Sequence, residues 1–133
     1  MAELVEFDDL QQVEVLLRAG IELKFELSED SEILNGSPVF AGALNSLRDG
    51  LIAAVRSGPS SGNAQSYVDW YQISAHPHRW VIITRRAVLH PHVRDLTTVE
   101  MRQWVETLAA PLAVDGESME AIKAEVEKIL DRG

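Results

Sequence analysis

The sequence predicts a two-layer α+β domain in which helices pack on a three- or four-stranded mixed or antiparallel sheet. Three observations lead to this prediction. Apolar and charged residues alternate from Ile21 to Leu27, which is the period of a half-buried strand. Two later segments rich in aromatic and β-branched residues flank a His-Pro-His sequence, as in a hairpin. The flanking segments carry apolar residues at helical spacing, so the predicted order is α-β-α-β-β-(β)-α-α.

The first helix is predicted from Asp8 to Ala19, and the first strand follows it directly. An aspartate, Asp8 or Asp9, accepts hydrogen bonds from the first free amides, and Gly20 stands at the position just past the helix end. The apolar residues at helical spacing are Leu10, Val13, Leu16 and Leu17. In the strand, residues 21, 23, 25 and 27 are apolar and are predicted to face the core.

A second helix is predicted to begin at Ser37 and Pro38, since serine caps a helix and proline suits its first position. Gly58-Pro59 ends it. Its apolar stripe consists of Phe40, Leu44, Leu47, Leu51 and Val55. Gly42 and Gly50 lie inside the stripe, and each costs about 1 kcal/mol relative to alanine. Close packing against another element is one reason for such residues.

The middle of the chain is predicted to form the antiparallel hairpin. Its strands are Ser66–Ala75 and Arg79–Arg85, joined by residues 76–78. Trp80–Thr84 is the most continuously apolar run and is predicted as a central strand. Ala87–Leu89 either extends this strand past a bulge or forms a fourth strand, and the sequence leaves both open.

Two helices are predicted to complete the domain. Thr97 and Glu100 have the spacing of a capping box, and Leu96 with Met101 is placed to form a hydrophobic staple. A turn at Asp115-Gly116 leads into the last helix. Its predicted buried residues are Met119, Ile122, Val126, Ile129 and Leu130, and Glu125 pairs with Lys128 on the outer face. The chain of 133 residues is expected to form one domain, 1–133.

Acidic residues dominate the charge. The chain has 21 acids and 12 bases, a net charge of −9 and an isoelectric point near 4.8. Such a field repels nucleic-acid phosphates and anionic membranes, so the expected partner is another protein, in particular a basic one. Cysteine is absent, which excludes thiolate chemistry, disulfides and cysteine metal sites. The first ten residues hold four acids and no base, so we expect a cytoplasmic protein without a secretory signal.

The candidate site lies in the window from residue 70 to 94, which contains four arginines, all four histidines and no acid. Its residues are predicted to form a ligand or partner surface. They are His76, His78, Arg79, Arg85, Arg86, His90, His92 and Arg94. Arginine presents a planar fork of donors that suits a carboxylate or phosphate. Salt bridges to the acidic helices of the same molecule are the other interpretation.

A metal site is an alternative within the same window because His-Pro-His occurs twice. If the chain folds back near Thr84 and Arg85, His76 meets His92 and His78 meets His90, which gives four imidazoles for one metal ion. If residues 78 to 90 form one straight strand, the two units lie roughly 40 Å apart. The sequence around Thr84 lacks the usual turn residues, so no metal site and no cofactor are predicted.

No catalytic motif is present, whether a nucleophile elbow, a phosphate-binding loop or a dinucleotide-binding turn. The predicted function is therefore a small acidic module that binds another protein through a charged surface. Inhibitors, immunity proteins and chaperone-like adaptors share this size and acidity. The alternative is a small ligand- or metal-binding protein or enzyme that uses residues 76–94. A homodimer is compatible with either function.

Overall fold

Six α-helices build the part of the chain that the structure describes. The structure is a computed structural model, and it describes residues 7, 9–25, 36–59 and 61–132. The helices are α1 (Leu10–Phe25), α2 (Pro38–Ser57), α3 (Ala64–Trp70), α4 (Pro77–Ala87), α5 (Thr98–Ala109) and α6 (Gly116–Arg132). Short 3₁₀ turns lie at Ser61–Asn63, Ile73–Ala75 and Val93–Asp95.

The predicted α+β class is wrong. Helices take up 81% of the described residues, and these residues form no sheet. Strand-type pairing is limited there to one parallel bridge between Gln72 and Ala113. At this bridge the amide of Ile73 donates to the carbonyl of Ala113 at 2.9 Å, and the amide of Ala113 donates to Tyr71 at 2.7 Å. The bridge ties the segment before α4 to the segment before α6.

Helix α1 continues through the predicted boundary at Gly20. Gly20 is buried inside the helix, and a Cβ atom added there would lie 2.5 Å from Leu44 Cδ2. The glycine therefore permits close approach of α1 to α2 and does not end the helix. Ile21 and Phe25 join the face that Val13 begins, because 13, 17, 21 and 25 are at helical spacing. The strand predicted at 21–27 is thus wrong as far as Phe25, while Glu26 and Leu27 lie outside the described residues.

The predicted caps at the start of α2 and α5 are confirmed. At the start of α1, the cap predicted at Asp8 or Asp9 is formed by Asp9. The Ser37 hydroxyl accepts from the amide of Phe40 at 3.1 Å, and Pro38 is the first residue of α2. The Thr97 hydroxyl accepts from Glu100 at 3.1 Å, and the Glu100 carboxylate accepts from the Thr97 amide at 3.0 Å. At α1, Asp9 accepts from the amide of Gln12 at 3.0 Å, and Asp8 is outside the described residues.

The hairpin predicted in the middle of the chain is wrong. Ser66–Ala75 holds most of α3 and a 3₁₀ turn, and Arg79–Arg85, including Trp80–Thr84, lies within α4. Ala87–Leu89 is the end of α4 and a turn, not a fourth strand. Pro77 is the first residue of α4, where its missing amide is not needed. The proline therefore begins a helix where the sequence interpretation placed a turn between strands.

Helix α6 agrees with its prediction. Asp115 accepts from the amide of Ser118 at 2.6 Å and caps the helix. Glu125 lies 4.0 Å from Lys128, as predicted. Of the residues predicted to face inward, Met119, Ile122 and Val126 are buried, and Ile129 and Leu130 are half-buried.

Residues from all six helices meet in one apolar core. α4 contributes Ile83 and Ala87, which are fully buried and lie among the inner faces of α1, α5 and α6. Trp80 and Trp104 pack half-buried at the margin of this core. None of the helices in the described ranges combines the length and apolar character needed to cross a bilayer.

Candidate docking groove between α4 and α6

The predicted site residues lie on α4 and in the segments just before and after it. His76 precedes the helix and His90 follows it, so about 16 Å of helix separates these two histidines at 1.5 Å per residue. The fold-back at Thr84 and Arg85 does not occur, and the four-histidine cluster does not form. Within the described ranges no group of three or more His, Cys, Asp or Glu side chains is placed to hold a metal ion.

His76 joins the end of α3 to the start of α4. Its Nε2 lies 2.6 Å from the carbonyl oxygen of Trp70, and its Nδ1 lies 3.0 Å from the guanidinium of Arg79. Because a guanidinium only donates, Nδ1 must be the acceptor and Nε2 must carry the proton that goes to Trp70. The ring also meets the Trp70 indole edge to face, with centroids 4.7 Å apart. His76 therefore serves the packing of two helices.

Arg79 and Arg86 hold α4 against the end of α1. Their guanidinium carbons lie 5.8 Å and 5.7 Å from the ring centroid of Phe25, within cation–π distance. Arg86 also donates to the backbone carbonyl of Lys24. Burial lowers the pKa of Arg86 from its usual value. The two arginines thus act in the interior contact between helices.

Lys24 is the one charged side chain that is fully buried among the described residues. Its ammonium donates to the carbonyl oxygens of Thr107 at 2.6 Å and Ala110 at 2.8 Å, at the C-terminal end of α5. Burial, with a smaller contribution from Arg86, lowers the pKa of Lys24 to about 7. Sequence reasoning assigned Lys24 to the solvent face of a strand. Its spacing from Leu17 and Ile21 would have placed it on the inner face of a helix.

A second polar contact that sequence reasoning missed joins α1 to α3. The Tyr67 hydroxyl donates to the Glu14 carboxylate, and this bond is the main cause that raises the pKa of Tyr67. One turn further along α1, the Arg18 guanidinium lies 5.1 Å from the Trp70 ring centroid. These partners are 52 or more residues apart in sequence, so no local pattern indicates them.

The first histidine of the second unit, His90, packs on the middle of α5. His90 Nδ1 accepts from the amide of His92 at 3.0 Å, and the His90 ring meets Trp104 edge to face at 5.0 Å. Arg94 donates to the carbonyl of Leu130 at 2.8 Å, near the C-terminal end of α6. His78 and His92 are exposed. The predicted surface is therefore divided between interior contacts and separate exposed positions.

A groove along α4 and α6 contains Arg85, the one member of the predicted set that lines it. Two cavities, of about 500 and 430 Å³, lie end to end and share Trp80 and Val81. We call them together the α4–α6 groove. Further apolar residues that line it are Ile73, Pro77, Ala121 and Ile129. Val81 is 41% exposed, so the middle of the groove presents an apolar side chain to solvent.

Charges of opposite sign occupy the two ends of the groove. The first cavity is lined by Asp115 and Glu117 and by no base. The second is lined by Arg85 and Arg132 together with Glu125, whose carboxylate lies 4.0 Å from Lys128. The groove is therefore acidic at one end, apolar in the middle and basic at the other end.

The two helices that form the groove run in the same direction. Pro77, in the first turn of α4, lines the same cavity as Glu117 and Ser118 in the first turn of α6. Thr84 and Arg85 line the second cavity with residues from the last turns of α6. The acids thus lie where both helices begin and the arginines where both end. This placement also suits the dipole of each helix.

Two other concave surfaces have less definite chemistry. The outer face of α1 presents Val15 and Leu16 beside Phe7 in a shallow cavity of about 490 Å³, with Asp9 as its charged residue. A cavity of about 440 Å³ beside Arg94 carries charges of both signs without separation into ends, since Lys123, Glu127 and Asp131 line it as well. The α4–α6 groove combines apolar surface with an ordered charge pattern. No family model, curated protein or solved structure matches this chain.

Proposed function

We propose that this protein is a non-enzymatic module that binds a segment of another protein in the α4–α6 groove. The observation that carries the proposal is the groove itself, an apolar channel with separated charges at its ends. Peptide-binding grooves combine apolar contact with a few charged groups that select and orient the ligand. Trp80 supports the proposal because partly exposed tryptophans are frequent anchors of protein interfaces.

The overall charge supports a partner with basic residues. Exposed acids continue from the acidic end of the groove along α6, at Glu117, Glu120, Glu127 and Asp131. With the net charge of −9, this surface attracts a basic segment and increases its rate of association. The proposed location is the cytoplasm, and a chain without cysteine is compatible with its reducing conditions.

The alternative of a ligand- or metal-binding site in residues 76–94 has weaker support. His76, Arg79 and Arg86 are engaged in contacts between helices, and His90 packs on Trp104. The exposed members lie apart from one another: His78 is in the first turn of α4, Arg85 is in its last turn, and His92 and Arg94 follow the helix.

A site-specific cross-linking experiment tests the proposal. A photoreactive benzoylphenylalanine replaces Val81 in the groove or, as the control, Val99 on α5, which is 63% exposed and lines none of the cavities described above. Each protein is expressed in its source cells and irradiated, and the adduct is identified by mass spectrometry. The identified partner is then purified and titrated against the wild type and against V81D and V99D.

We expect one adduct at position 81 and none at position 99, with affinity lost in V81D and kept in V99D. An adduct formed equally at both positions contradicts the groove as the binding site. An adduct with a second copy of this chain contradicts the assignment to another protein and indicates a homodimer.

A further inference from the structure

The geometry points to the occupant of the α4–α6 groove: an amphipathic helix of the partner that lies antiparallel to α4 and α6. Its last turn carries basic residues that meet Asp115 and Glu117, and its first turn carries acidic residues that meet Arg85 and Arg132. This inference rests on the proposed function, since it names the chemistry and direction of the segment bound at the same site.

The dimensions of the groove fit a helix of about four turns. From Ser118 to Arg132 the wall that α6 provides extends over 14 residue-to-residue steps, or about 21 Å at 1.5 Å per residue. Apolar side chains continue along the middle, where Trp80 and Val81 belong to both cavities. Two helices that run side by side leave a channel into which the apolar stripe of a third helix packs.

The side-chain charges of the groove require opposite charges at the two ends of the ligand. Asp115 and Glu117 favour a basic residue above the first cavity. Arg85 and Arg132 favour a carboxylate above the second, because Glu125 can balance only one of the two arginines and lies 4.0 Å from Lys128. A ligand with one sign of charge throughout would meet repulsion at one end.

Helix dipoles decide which end of the ligand is basic. A helix is stabilised by acids in its first turn and bases in its last turn, so this pattern is the favourable one in the free ligand. Placed over the groove by its charges, such a helix runs opposite to α4 and α6, and its dipole is antiparallel to theirs. Its C-terminal carbonyls face the acidic end, but each carries a partial charge smaller than that of a lysine ammonium. The side-chain charges at both ends and the antiparallel dipoles therefore favour this direction, and only the ligand's C-terminal carbonyls oppose it.

Two synthetic peptides of the same composition test the direction. Each has 14 residues, blocked ends and leucines at helical spacing. The first, probe N-acidic, has two glutamates in its first turn and two lysines in its last turn, and the second, probe N-basic, has them reversed. Affinities are measured by fluorescence anisotropy at low salt. We expect probe N-acidic to bind about tenfold more tightly than probe N-basic.

Charge reversal at the acidic end provides the matched comparison. E117K is expected to remove most of the preference between the probes, because Glu117 lines the groove. E106K makes the same change in net charge on α5, away from the groove and from the acidic surface of α6, and is expected to keep the preference. Equal affinities in the wild type, tighter binding of probe N-basic, or the absence of binding to either probe would each overturn the inference.

Disulfide trapping tests which end of the bound probe lies at the acidic end of the groove. S118C introduces a single thiol at the acidic end of a chain without cysteine. In a glutathione redox buffer we expect it to trap probe N-acidic that carries a cysteine at its C-terminus and not one that carries it at its N-terminus. The reverse result overturns the antiparallel direction. Cross-linking of the natural partner at position 81 does not depend on these probes, so the proposed function can stand if the inference fails.

Discussion

Two cations, the buried Lys24 and the half-buried Arg86, fix the end of α1 in the interior. The ammonium of Lys24 donates to two carbonyls of the α5 terminus, and Arg86 donates to the carbonyl of Lys24 itself. The free carbonyls at the end of a helix carry partial negative charge, so they are suitable partners for a buried cation. A buried charge is nevertheless costly, and the lowered pKa of Lys24 expresses that cost.

We predict that Lys24 makes stability increase with pH above neutrality. Its pKa is about 7 in the folded protein, whereas a solvated lysine, as in the unfolded chain, has a pKa of 10.5. Between these values the unfolded chain binds more protons, so the free energy of unfolding rises as pH rises. The full effect is on the order of a few kcal/mol. Urea unfolding at pH 7, 8 and 9 measures the part of this effect that falls between pH 7 and 9, below the range in which Tyr67 and Tyr71, whose pKa values are raised, begin to ionise.

Substitution of Lys24 separates this contribution from those of other groups. K24M removes the ionisable group, so its free energy of unfolding is expected to stay level over the same pH range. K128M removes an exposed ammonium instead and is expected to keep the wild-type slope. A slope that persists in K24M would show that another group causes it.

The starts of α2 and α5 were predictable from the sequence, whereas the interior of α4 was not. The caps at Ser37 and Thr97 depend on residues three apart, so their signals are local. The run Trp80–Thr84 is continuously apolar and β-branched, and periodicity cannot distinguish a buried strand from a buried helix in such a run. Tertiary packing of α4 decided the outcome. Similarly, Arg85 was predicted as a surface residue, but its place in the groove depends on α6, some 40 residues away.

We predict opposite effects for two glycine substitutions within helices. A Cβ added at Gly50 meets nothing within 4 Å, so G50A should stabilise α2 by about 1 kcal/mol through helix propensity alone. A Cβ added at Gly20 would lie 2.5 Å from a methyl group of Leu44, which is buried and cannot easily move. G20A should therefore unfold at a lower urea concentration than the wild type. A comparable gain in both variants would contradict the close α1–α2 contact.

The whole molecule combines a strong negative charge with a helical core. Acids are concentrated in residues 1–32 and 95–133, while the four arginines of the central window lie on α4 and just after it. Two of these arginines stack on Phe25 in the interior contact, so they do not offset acids on the outer surface of the described helices. A net charge of −9 repels itself more strongly in a compact state than in an unfolded chain. Charge repulsion is therefore a cost of the compact state.

We predict that salt stabilises the folded protein at pH 7. Screening shortens the range of repulsion from about 30 Å at 0.01 M to about 8 Å at 0.15 M ionic strength, so the urea midpoint should rise over this range. E127Q changes the net charge from −9 to −8 and should weaken the salt dependence of the urea midpoint. R102Q changes the net charge to −10 and should strengthen that dependence. Each change should alter stability by about 0.5 kcal/mol or less, because both residues are exposed. A midpoint that falls with salt would mean that attraction between opposite charges, including those at the two ends of the groove, outweighs the repulsion.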